Sequence, residues 1–440
     1  MARSDTVIKI LPGERFTPYG LAKKLNASVI LESSSYHKGR ERYSLLMVRP
    51  AFRLEQHGRE IVLCVENQRR AVQGNPTDIL DALLYFANQH TLPHQDFPFP
   101  AGGIGFLSYE FAAQCDTVRM ASKVDPLSLP DAAFLFGHVL VLFDHYTDLI
   151  YLIGLNYDEH EIDLDAELTL VEDTITDSNF NYLQPDDRQY PASITVPPDD
   201  RSLFMHGVEQ IRDEIIQGNL LQAVLSRRVE ITSDIPAMEA YRRLRTANPS
   251  PYLFYLNFGE YELFGSSPEV HVKLKDDRVT VRPIAGTRRR GGDRVEDLAL
   301  ERELLADEKE RAEHLMLVDL ARNDIGRVCR PGSIQVTASM VVERYSHVMH
   351  IVSEVEGLLE EGKTGADLIR ATFPAGTVSG APKIRAMEVL DRLETLPRRF
   401  YAGLVGYMEP GGSLDTCITI RSALKRGDTM VLQAGAGVVF

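Results

Sequence analysis

The chain has 440 residues, of which 44% are hydrophobic and 25% charged, with a formal net charge of −15. That length is ample to bury the core of one large domain or two smaller ones. The acidic balance argues against nucleic acid or an anionic membrane surface as the main partner. No apolar run reaches the length of a membrane-spanning helix, and the start lacks an apolar leader, so the expected location is the cytoplasm.

The cysteines are widely separated, and none has a second cysteine or a histidine at metal-binding spacing. We therefore expect buried, free thiols at Cys64, Cys115, Cys329 and Cys417.

The first 170 residues alternate short β-rich runs with turns, interrupted by one helical pattern near residues 76–89. The predicted strands lie at residues 27–31, 52–56, 61–65 and 140–143. A glycine-rich run at residues 102–110 enters β structure without the spacing of a dinucleotide-binding loop, so a Rossmann fold is rejected.

The composition shifts to Asn, Gln, Asp and Pro between residues 177 and 200. This shift predicts a linker at residues 176–202, between an N-terminal lobe (1–175) and a larger region (203–440). The larger region opens with a helix at 203–217, which stops at Gly218, and a buried strand at 220–230.

Three further patterns in the larger region carry polar groups. Residues 295–324 read as one long helix, with Glu310 and Glu313 on one face. Residues 344–350 alternate as a strand, so Ser346 and His350 are expected on the same side.

The third pattern is a small-residue loop at 373–383 that runs into a helix. Gly376 and Gly380 allow close backbone approach, and Pro382 suits a first helical turn. Lys383 and Arg385 just inside that helix make the loop a predicted anion site.

Several motifs stand in a fixed order along the chain: Ser267-Pro-Glu269, residues 281–287, 345–353 and 373–383, and three strands near 401–407, 415–422 and 433–439. Together they resemble the chorismate-utilising enzymes, in particular the component I subunits of anthranilate synthases. The resemblance implies an α+β chorismate-binding fold, with mostly antiparallel sheets flanked by helices around a central cleft. It also implies amination of chorismate at C2 with loss of the C4 hydroxyl, followed by elimination of pyruvate.

The resemblance assigns roles to individual residues. Glu269 would be the general acid toward the C4 hydroxyl, which requires a pKa raised by burial. His350 would assist the loss of pyruvate, and Thr377 would complete the catalytic set. The implied chorismate contacts are Gly286, Thr287, Tyr401, Arg421, Gly435 and Gly437.

Two positions separate the branches of the family. Isochorismate and salicylate synthases have lysine where this chain has Gln222, and many aminodeoxychorismate synthases have a nucleophilic lysine where it has Ala285. Both residues therefore favour direct attack by ammonia. Aminodeoxychorismate synthase remains the main alternative, with isochorismate or salicylate synthase behind it.

The same resemblance implies a Mg²⁺ site at Glu313, with Glu310 beside it, for the substrate's ring carboxylate. The family continues beyond the position of Phe440 with a helix that carries a second metal-binding glutamate. Either the sequence is truncated or altered at its C-terminus, or this protein lacks part of the metal site. With Glu313 alone, we expect weakened Mg²⁺ binding and impaired turnover.

A tryptophan-sensing pocket is implied at residues 31–36 and 39–44, with Glu32 and Ser33 on one side. Residues 247–255 would form the other side through Pro251, Tyr252 and Leu253, where Leu253 stands for the usual methionine. No glutaminase nucleophile motif is visible, so the resemblance implies a separate glutamine amidotransferase that supplies ammonia. A non-catalytic, tryptophan-binding subunit is the alternative from another functional class.

Overall fold

The computed structural model describes residues 6–35, 39–40, 42–65, 68–72, 76–91, 97–177, 188–345 and 347–440. Its helices are α1 (Pro18–Lys24), α2 (Ile79–Ala87), α3 (Ala112–Cys115), α4 (Leu164–Thr176), α5 (Asp200–Ile216), α6 (Ala237–Ala247), α7 (Arg294–Ala306), α8 (Glu308–Gly326), α9 (Gly365–Thr372) and α10 (Lys383–Leu393). Short 3-10 turns lie at Tyr109–Phe111, Gly376–Val378 and Pro410–Gly412.

The strands of the N-terminal part are β1 (Val7–Pro12), β2 (Val29–Glu32), β3 (Ser34–Ser35), β4 (Gly39–Arg40), β5 (Tyr43–His57), β6 (Glu60–Val65), β7 (Gln68–Ala71), β8 (Ile104–Leu107), β9 (Ala132–Asp144) and β10 (Leu149–Gly154). Those that follow are β11 (Ser193–Thr195), β12 (Gln222–Thr232), β13 (Tyr252–Asn257), β14 (Glu262–Ser267), β15 (Val270–Lys275), β16 (Arg278–Val281), β17 (Ile284–Arg289), β18 (Gln335–Arg344), β19 (Val348–Leu358), β20 (Gly380–Ala381), β21 (Leu404–Met408), β22 (Leu414–Ile418), β23 (Ser422–Arg426) and β24 (Thr429–Val438).

The described strands pair antiparallel throughout, and two arms of sheet leave the long β5–β9 pair. One arm runs through β2, β13, β14, β23, β24 and β12. The other runs through β8, β21, β22, β15, β16 and β19, which also pairs with β17 and β18. With the flanking helices, this architecture confirms the predicted α+β fold of mostly antiparallel sheets.

The core follows from apolar runs that are buried on both faces. Every residue of β9 is buried, which is typical of a strand covered on both sides. Helix α2 is capped at its N-terminus by Asp78, whose side chain accepts a hydrogen bond from the Leu80 amide, and the helix packs its apolar face into the same core. Burial in this core holds the β5–β9 pair in place, and both arms of the sheet extend from that pair.

Two short connections pass from one arm to the other. Residues 268–269 join β14 to β15, and residues 419–421 join β22 to β23. Glu269 and Arg421 therefore lie where the arms meet, although they are far apart in sequence. This junction positions the candidate active site.

The single long helix predicted at 295–324 is wrong, because the chain breaks at Asp307 into α7 and α8. Asp307 leaves the helical conformation, and its side chain accepts a hydrogen bond from the Glu310 amide 3.1 Å away. A short polar side chain competes well for backbone groups in this way, so it starts a new helix instead of continuing the old one.

The strand predicted at 344–350 is also wrong in its first half. Strand β18 ends at Arg344, β19 begins at Val348, and the Tyr345 amide donates to the Val348 carbonyl. The expectation that Ser346 shares a side with His350 concerns a residue outside the described ones.

The remaining predicted elements fall near observed ones. The helix predicted at 203–217 is α5, the helix near 76–89 contains α2, and the strand at 220–230 is β12. Of the predicted linker, residues 178–187 lie outside the described part, while β11 pairs with β12.

All four cysteines are free thiols, as expected. Cys329 and Cys417 are buried, whereas Cys64 and Cys115 are only partly buried, which corrects the expectation for those two. Within the described ranges, no helix is long and apolar enough to cross a membrane.

Candidate active site

Glu269 lies at the junction of the two arms and is only 6% exposed. Burial raises the pKa of its carboxyl to about 8, although the Thr377 hydroxyl, the Ile284 amide and the Arg421 guanidinium each favour the charged form. Desolvation outweighs these three influences because a charge is costly in a buried site. The carboxyl is therefore protonated near neutral pH and able to donate a proton.

His350 and Thr287 are directly paired across β17 and β19, next to an irregularity at Gly286. His350 Nδ1 lies 3.1 Å from the Gly286 carbonyl oxygen and 3.0 Å from Thr287 Oγ1. Because a carbonyl oxygen only accepts, Nδ1 carries the ring hydrogen. Burial lowers the pKa of His350, so the ring is uncharged and Nε2 is the basic nitrogen.

Gly286 adopts a φ of +76°, a conformation that favours glycine. A Cβ at this position would lie 3.3 Å from Glu310 Oε2 and 3.1 Å from Ile351. Glycine at 286 therefore lets the Glu310 carboxylate lie close to the β17 backbone.

Glu313 and Glu310 project from the first turns of α8, and Gln222 from β12 meets Glu313 across the cavity. Gln222 Nε2 donates to Glu313 Oε1 at 2.8 Å. Burial raises the pKa of Glu313, a shift that Gln222 opposes and the nearby Glu310 charge reinforces. Two carboxylates side by side, one of them partly desolvated, form a site that favours a cation.

The loop at 373–383 does not present its basic residues to a bound anion. Lys383 Nζ donates to Asp324 at 2.6 Å and to the Thr372 carbonyl at 2.9 Å. Arg385 pairs with Glu214 and Glu388. The prediction that both residues form an anion site is therefore wrong, because Asp324 and Glu214 from distant segments, together with Glu388 on the same helix, already neutralise them.

Pro382 is the N-cap residue of α10, one position before the predicted first turn. What the loop contributes to the site is Thr377, which lies beside Glu269 in the wall of the cavity.

Arg421 and Tyr401 complete the polar wall at the junction. Arg421 has a φ of +50°, which is strained for a residue with a side chain. Desolvation lowers the pKa of its guanidinium, with Tyr345 and Glu269 opposing that shift. Tyr401 is buried with its hydroxyl near Gly435, where a Cβ would approach to 2.7 Å.

The structure brings most of the predicted site residues to one cavity of about 900 Å³. Its polar and glycine walls include Gln222, Glu269, Gly286, Thr287, Glu310, Glu313, Thr377, Tyr401, Arg421, Gly435 and Gly437, and Ala285 lies among them. His350 is the exception, because it lies behind Gly286 and Thr287 and does not form part of the cavity wall.

A second cavity of about 490 Å³ lies between the two arms and is lined by all five residues predicted to bind tryptophan: Glu32, Ser33, Pro251, Tyr252 and Leu253. We call it the Glu32 pocket. Strands β2 and β13 form it by pairing Glu32 directly with Leu253. Residues 36–38 and 41 of the predicted sensing element lie outside the described residues.

The Glu32 carboxylate is buried and already has partners. It accepts a hydrogen bond from Tyr241 Oη at 2.8 Å and ion-pairs with Arg245 at 2.8 Å. Sequence reasoning missed Tyr241 and Arg245. The available signal was their spacing of four on α6, which places both on one helix face, but nothing in the sequence connects that face to residue 32.

Comparisons with known proteins agree with this geometry. The model of the chorismate binding enzyme family matches residues 32–440. The anthranilate synthase component 1 of Spirochaeta aurantia is 61% identical over 99% of this chain and 91% of that protein. The anthranilate synthase component 1 of Acetivibrio thermocellus is 37% identical over 96% of this chain and 88% of that protein.

A solved structure gives the same result. The crystal structure of anthranilate synthase component I from Streptococcus pneumoniae TIGR4 superposes with a TM-score of 0.79 at 36% identity, covering 91% of this chain and 88% of that one.

Proposed function

The chain belongs to the chorismate binding enzyme family, and we propose that it is the synthase component of an anthranilate synthase, converting chorismate and ammonia to anthranilate and pyruvate. The observation that carries the proposal is a buried, protonated Glu269 that shares one cavity with Gln222 and Ala285. Glu269 is thus available as the acid for the leaving hydroxyl. The family members that use water have lysine at the position of Gln222, and those that use a lysine nucleophile have it at the position of Ala285. This chain has lysine at neither position.

In the first step, ammonia attacks C2 of chorismate, the ring double bonds shift, and the C4–O bond breaks. Glu269 gives its proton to the departing C4 hydroxyl, which leaves as water. A carboxyl with a pKa of about 8 is poised for this transfer near neutral pH.

Gln222 is suited to hold the ammonia. Its Nε2 is engaged by Glu313, while its buried Oε1 makes no hydrogen bond to any residue in the part of the chain the structure describes. An unpartnered carbonyl oxygen in the cavity wall can accept an N–H of ammonia. An amide cannot deprotonate water, so the same residue disfavours hydroxylation of the ring.

In the second step, His350 removes the proton from the amine-bearing ring carbon, the C3–O bond breaks, and the ring becomes aromatic. The side chain leaves as enolpyruvate, which takes up a proton to become pyruvate. The neutral imidazole, with Nδ1 held by Gly286 and Thr287, supports this assignment because Nε2 keeps its lone pair. Contact with the substrate requires Nε2 to reach past Gly286 and Thr287.

Arg421 and Tyr401 are suited to bind the enolpyruvyl carboxylate. A guanidinium that has lost much of its hydration gains more from pairing with a carboxylate than an exposed one does. The glycines at 435 and 437 leave room beside Tyr401 and Gln222, where a Cβ would clash.

The residues present also fit a Mg²⁺ ion. No group of three or more His, Cys, Asp or Glu with metal-binding geometry occurs in the described ranges, but Mg²⁺ is often held by two carboxylates together with water and substrate oxygens. Glu313 and Glu310 would hold it, and the bound ion would supply positive charge for the substrate's ring carboxylate.

We further propose that ammonia comes from a separate glutamine amidotransferase, that the enzyme works in the cytoplasm, and that the Glu32 pocket binds tryptophan as an inhibitor. The pocket's volume of about 490 Å³ suits an amino acid with a large ring. A buried carboxylate and aromatic and proline walls match the amino group and indole of such a ligand.

The test is to incubate the purified chain with chorismate, Mg²⁺ and ammonium and to identify the products by mass and fluorescence. Anthranilate and pyruvate in equal amounts support the proposal. Aminodeoxychorismate would place the protein in the folate branch, and isochorismate or salicylate would make it a water user. Tryptophan binding with no product would indicate a regulatory subunit.

A further inference from the structure

A third, much smaller cavity of about 30 Å³ adjoins Glu269. Glu269, Thr377 and Leu317 line both this cavity and the large one, so they form the partition between the two. The far side of the small cavity is lined by His271 and Asp324, among others. The general acid of the proposed reaction therefore has next to it a small chamber that is distinct from the substrate cavity and has a few polar groups in a largely apolar wall.

Three buried polar atoms that line this chamber make no hydrogen bond of acceptable geometry to any described residue: Thr377 Oγ1, His271 Nε2 and Arg282 Nε. Thr377 Oγ1 lies near the Glu269 carboxyl and the His271 ring lies near the Thr372 carbonyl, while Arg282 Nε is ion-paired with Glu354 at 3.3 Å. His271 is only 4% exposed, and its other ring nitrogen lies 3.1 Å from Thr416 Oγ1. Buried polar groups of this kind are normally satisfied by protein or by ordered water.

The charges around the chamber are balanced by other pairs. Lys383 pairs with Asp324, Arg282 pairs with Glu343 and Glu354, and Arg421 faces Glu269 from the large cavity.

His271 itself is uncharged. Burial, reinforced by the nearby Lys383, lowers the pKa of His271 to about 3. A neutral imidazole beside Glu269 does not compete for the carboxyl's proton, whereas a cationic one would favour the carboxylate.

The chamber is large enough for one water molecule, which needs roughly 10–15 Å³ and two to four polar partners. We propose that a single buried water joins the Glu269 carboxyl, Thr377 Oγ1 and His271 Nε2, and that His271 is thereby a positioning residue for the general acid. The catalytic part of this inference rests on the proposed function, whereas the presence of the water rests only on the cavity and its buried polar atoms.

The arrangement has a definite consequence for the reaction. When Glu269 has given up its proton, the water can donate a hydrogen bond to the carboxylate while Thr377 and His271 hold the water in place. This hydrogen bond favours the charged form and so lowers the pKa of Glu269. It also fixes the carboxyl in the orientation that transfers a proton toward the substrate.

The first test is a high-resolution crystal structure of the full chain. A single ordered water within hydrogen-bond distance of Glu269, Thr377 and His271 is expected. A dry chamber would overturn the inference, whatever product the enzyme makes.

The second test compares His271→Leu with His271→Gln, which keeps an uncharged hydrogen-bonding group. For His271→Leu we expect kcat to fall about tenfold with little change in the KM for chorismate. The alkaline limb of its pH–kcat profile should move to higher pH, because a hydrogen bond to the carboxylate has been lost. His271→Gln should recover most of the rate and the original limb.

His138→Leu is the matched control, because His138 is equally buried but contacts Leu155 and His160 far from the site. It should lower Tm without moving the pH profile. If His271→Leu behaves like this control, or if His271→Gln is as impaired as His271→Leu, then His271 only fills space and the inference is wrong. Failure of the proposed function is separately visible, because the wild-type chain would then make no anthranilate.

Discussion

The substrate cavity and the Glu32 pocket differ in how their charged groups are satisfied. In the substrate cavity, Glu269 keeps its proton because it is buried, and Arg421 has lost hydration without gaining a carboxylate partner at hydrogen-bond distance among the described residues. In the Glu32 pocket, the buried carboxylate has both Tyr241 and Arg245 as partners. The first arrangement is suited to proton transfer and to binding an anion. The second is suited to binding a ligand without chemical change.

The two pockets also differ in how the chain builds them. The substrate cavity draws on segments from residue 222 onward, joined at the two connections between the arms. The Glu32 pocket requires β2, from the start of the chain, to pair with β13. A mutation in one pocket should therefore alter one function and leave the other intact, and the following predictions test this separation.

The largest effect is expected from Glu269→Gln. Loss of the general acid should lower kcat by about 10²- to 10⁴-fold, while tryptophan affinity stays at the wild-type value. Glu262→Gln is the control, because Glu262 accepts a hydrogen bond from Tyr255 and does not line the cavity. Steady-state kinetics and calorimetry of tryptophan binding measure both quantities. An active Glu269→Gln variant would remove Glu269 from the chemistry.

His350→Asn should lower kcat by about 10²-fold, because the amide can still donate to the Gly286 carbonyl but cannot take up a proton. The intermediate that carries the amino group should then accumulate and be detectable by mass. His347→Asn, an exposed histidine three residues earlier, should have wild-type rates. Equal losses in both variants would point to a general disturbance of β19 instead of a catalytic base.

Glu32→Gln should raise the tryptophan concentration for half-inhibition about tenfold or more, because it removes a charged hydrogen-bonding partner from the pocket. The rate without tryptophan should stay within about twofold of wild type if the pockets are separate. Glu60→Gln, an exposed carboxylate in the same part of the chain, is the control. Unchanged inhibition would show that tryptophan binds elsewhere.

The smallest effect concerns stability. Because the pKa of Glu269 is raised from its ordinary 4.5 to about 8, the unfolded chain binds fewer protons at this position than the folded one between those values. Its contribution to stability is therefore fully present at low pH and is lost as the pH rises through that window. Tm measured against pH should decline less in Glu269→Gln than in wild type. Parallel curves would mean that Glu269 is not held in its neutral form.

Much of the fold class and the composition of the substrate cavity could be predicted from the sequence, since motifs such as Ser267-Pro-Glu269 and the β24 glycines occur in a fixed order. It was harder to predict which side chains capture nearby backbone amides or charged groups. Asp307 ends one helix and begins another because its side chain captures the Glu310 amide, and Lys383 is neutralised by Asp324 from a different helix.

Contacts between residues far apart in sequence were the hardest to predict. Tyr241 and Arg245 lie more than two hundred residues from Glu32 in sequence, and only the pairing of β2 with β13 brings them together. His271 was likewise not predicted as a neighbour of Glu269. Its burial depends on the packing of the sheet, and its lowered pKa depends on that burial and, secondarily, on Lys383.

The most direct test of this division is to measure anthranilate formation and tryptophan binding in the same preparations of wild type and Glu269→Gln. We predict that wild type forms anthranilate from chorismate and ammonium and is inhibited by tryptophan, whereas Glu269→Gln forms almost none yet binds tryptophan with the same affinity. A folded Glu269→Gln variant that has also lost tryptophan binding, or a wild-type chain that makes another product, would contradict the account.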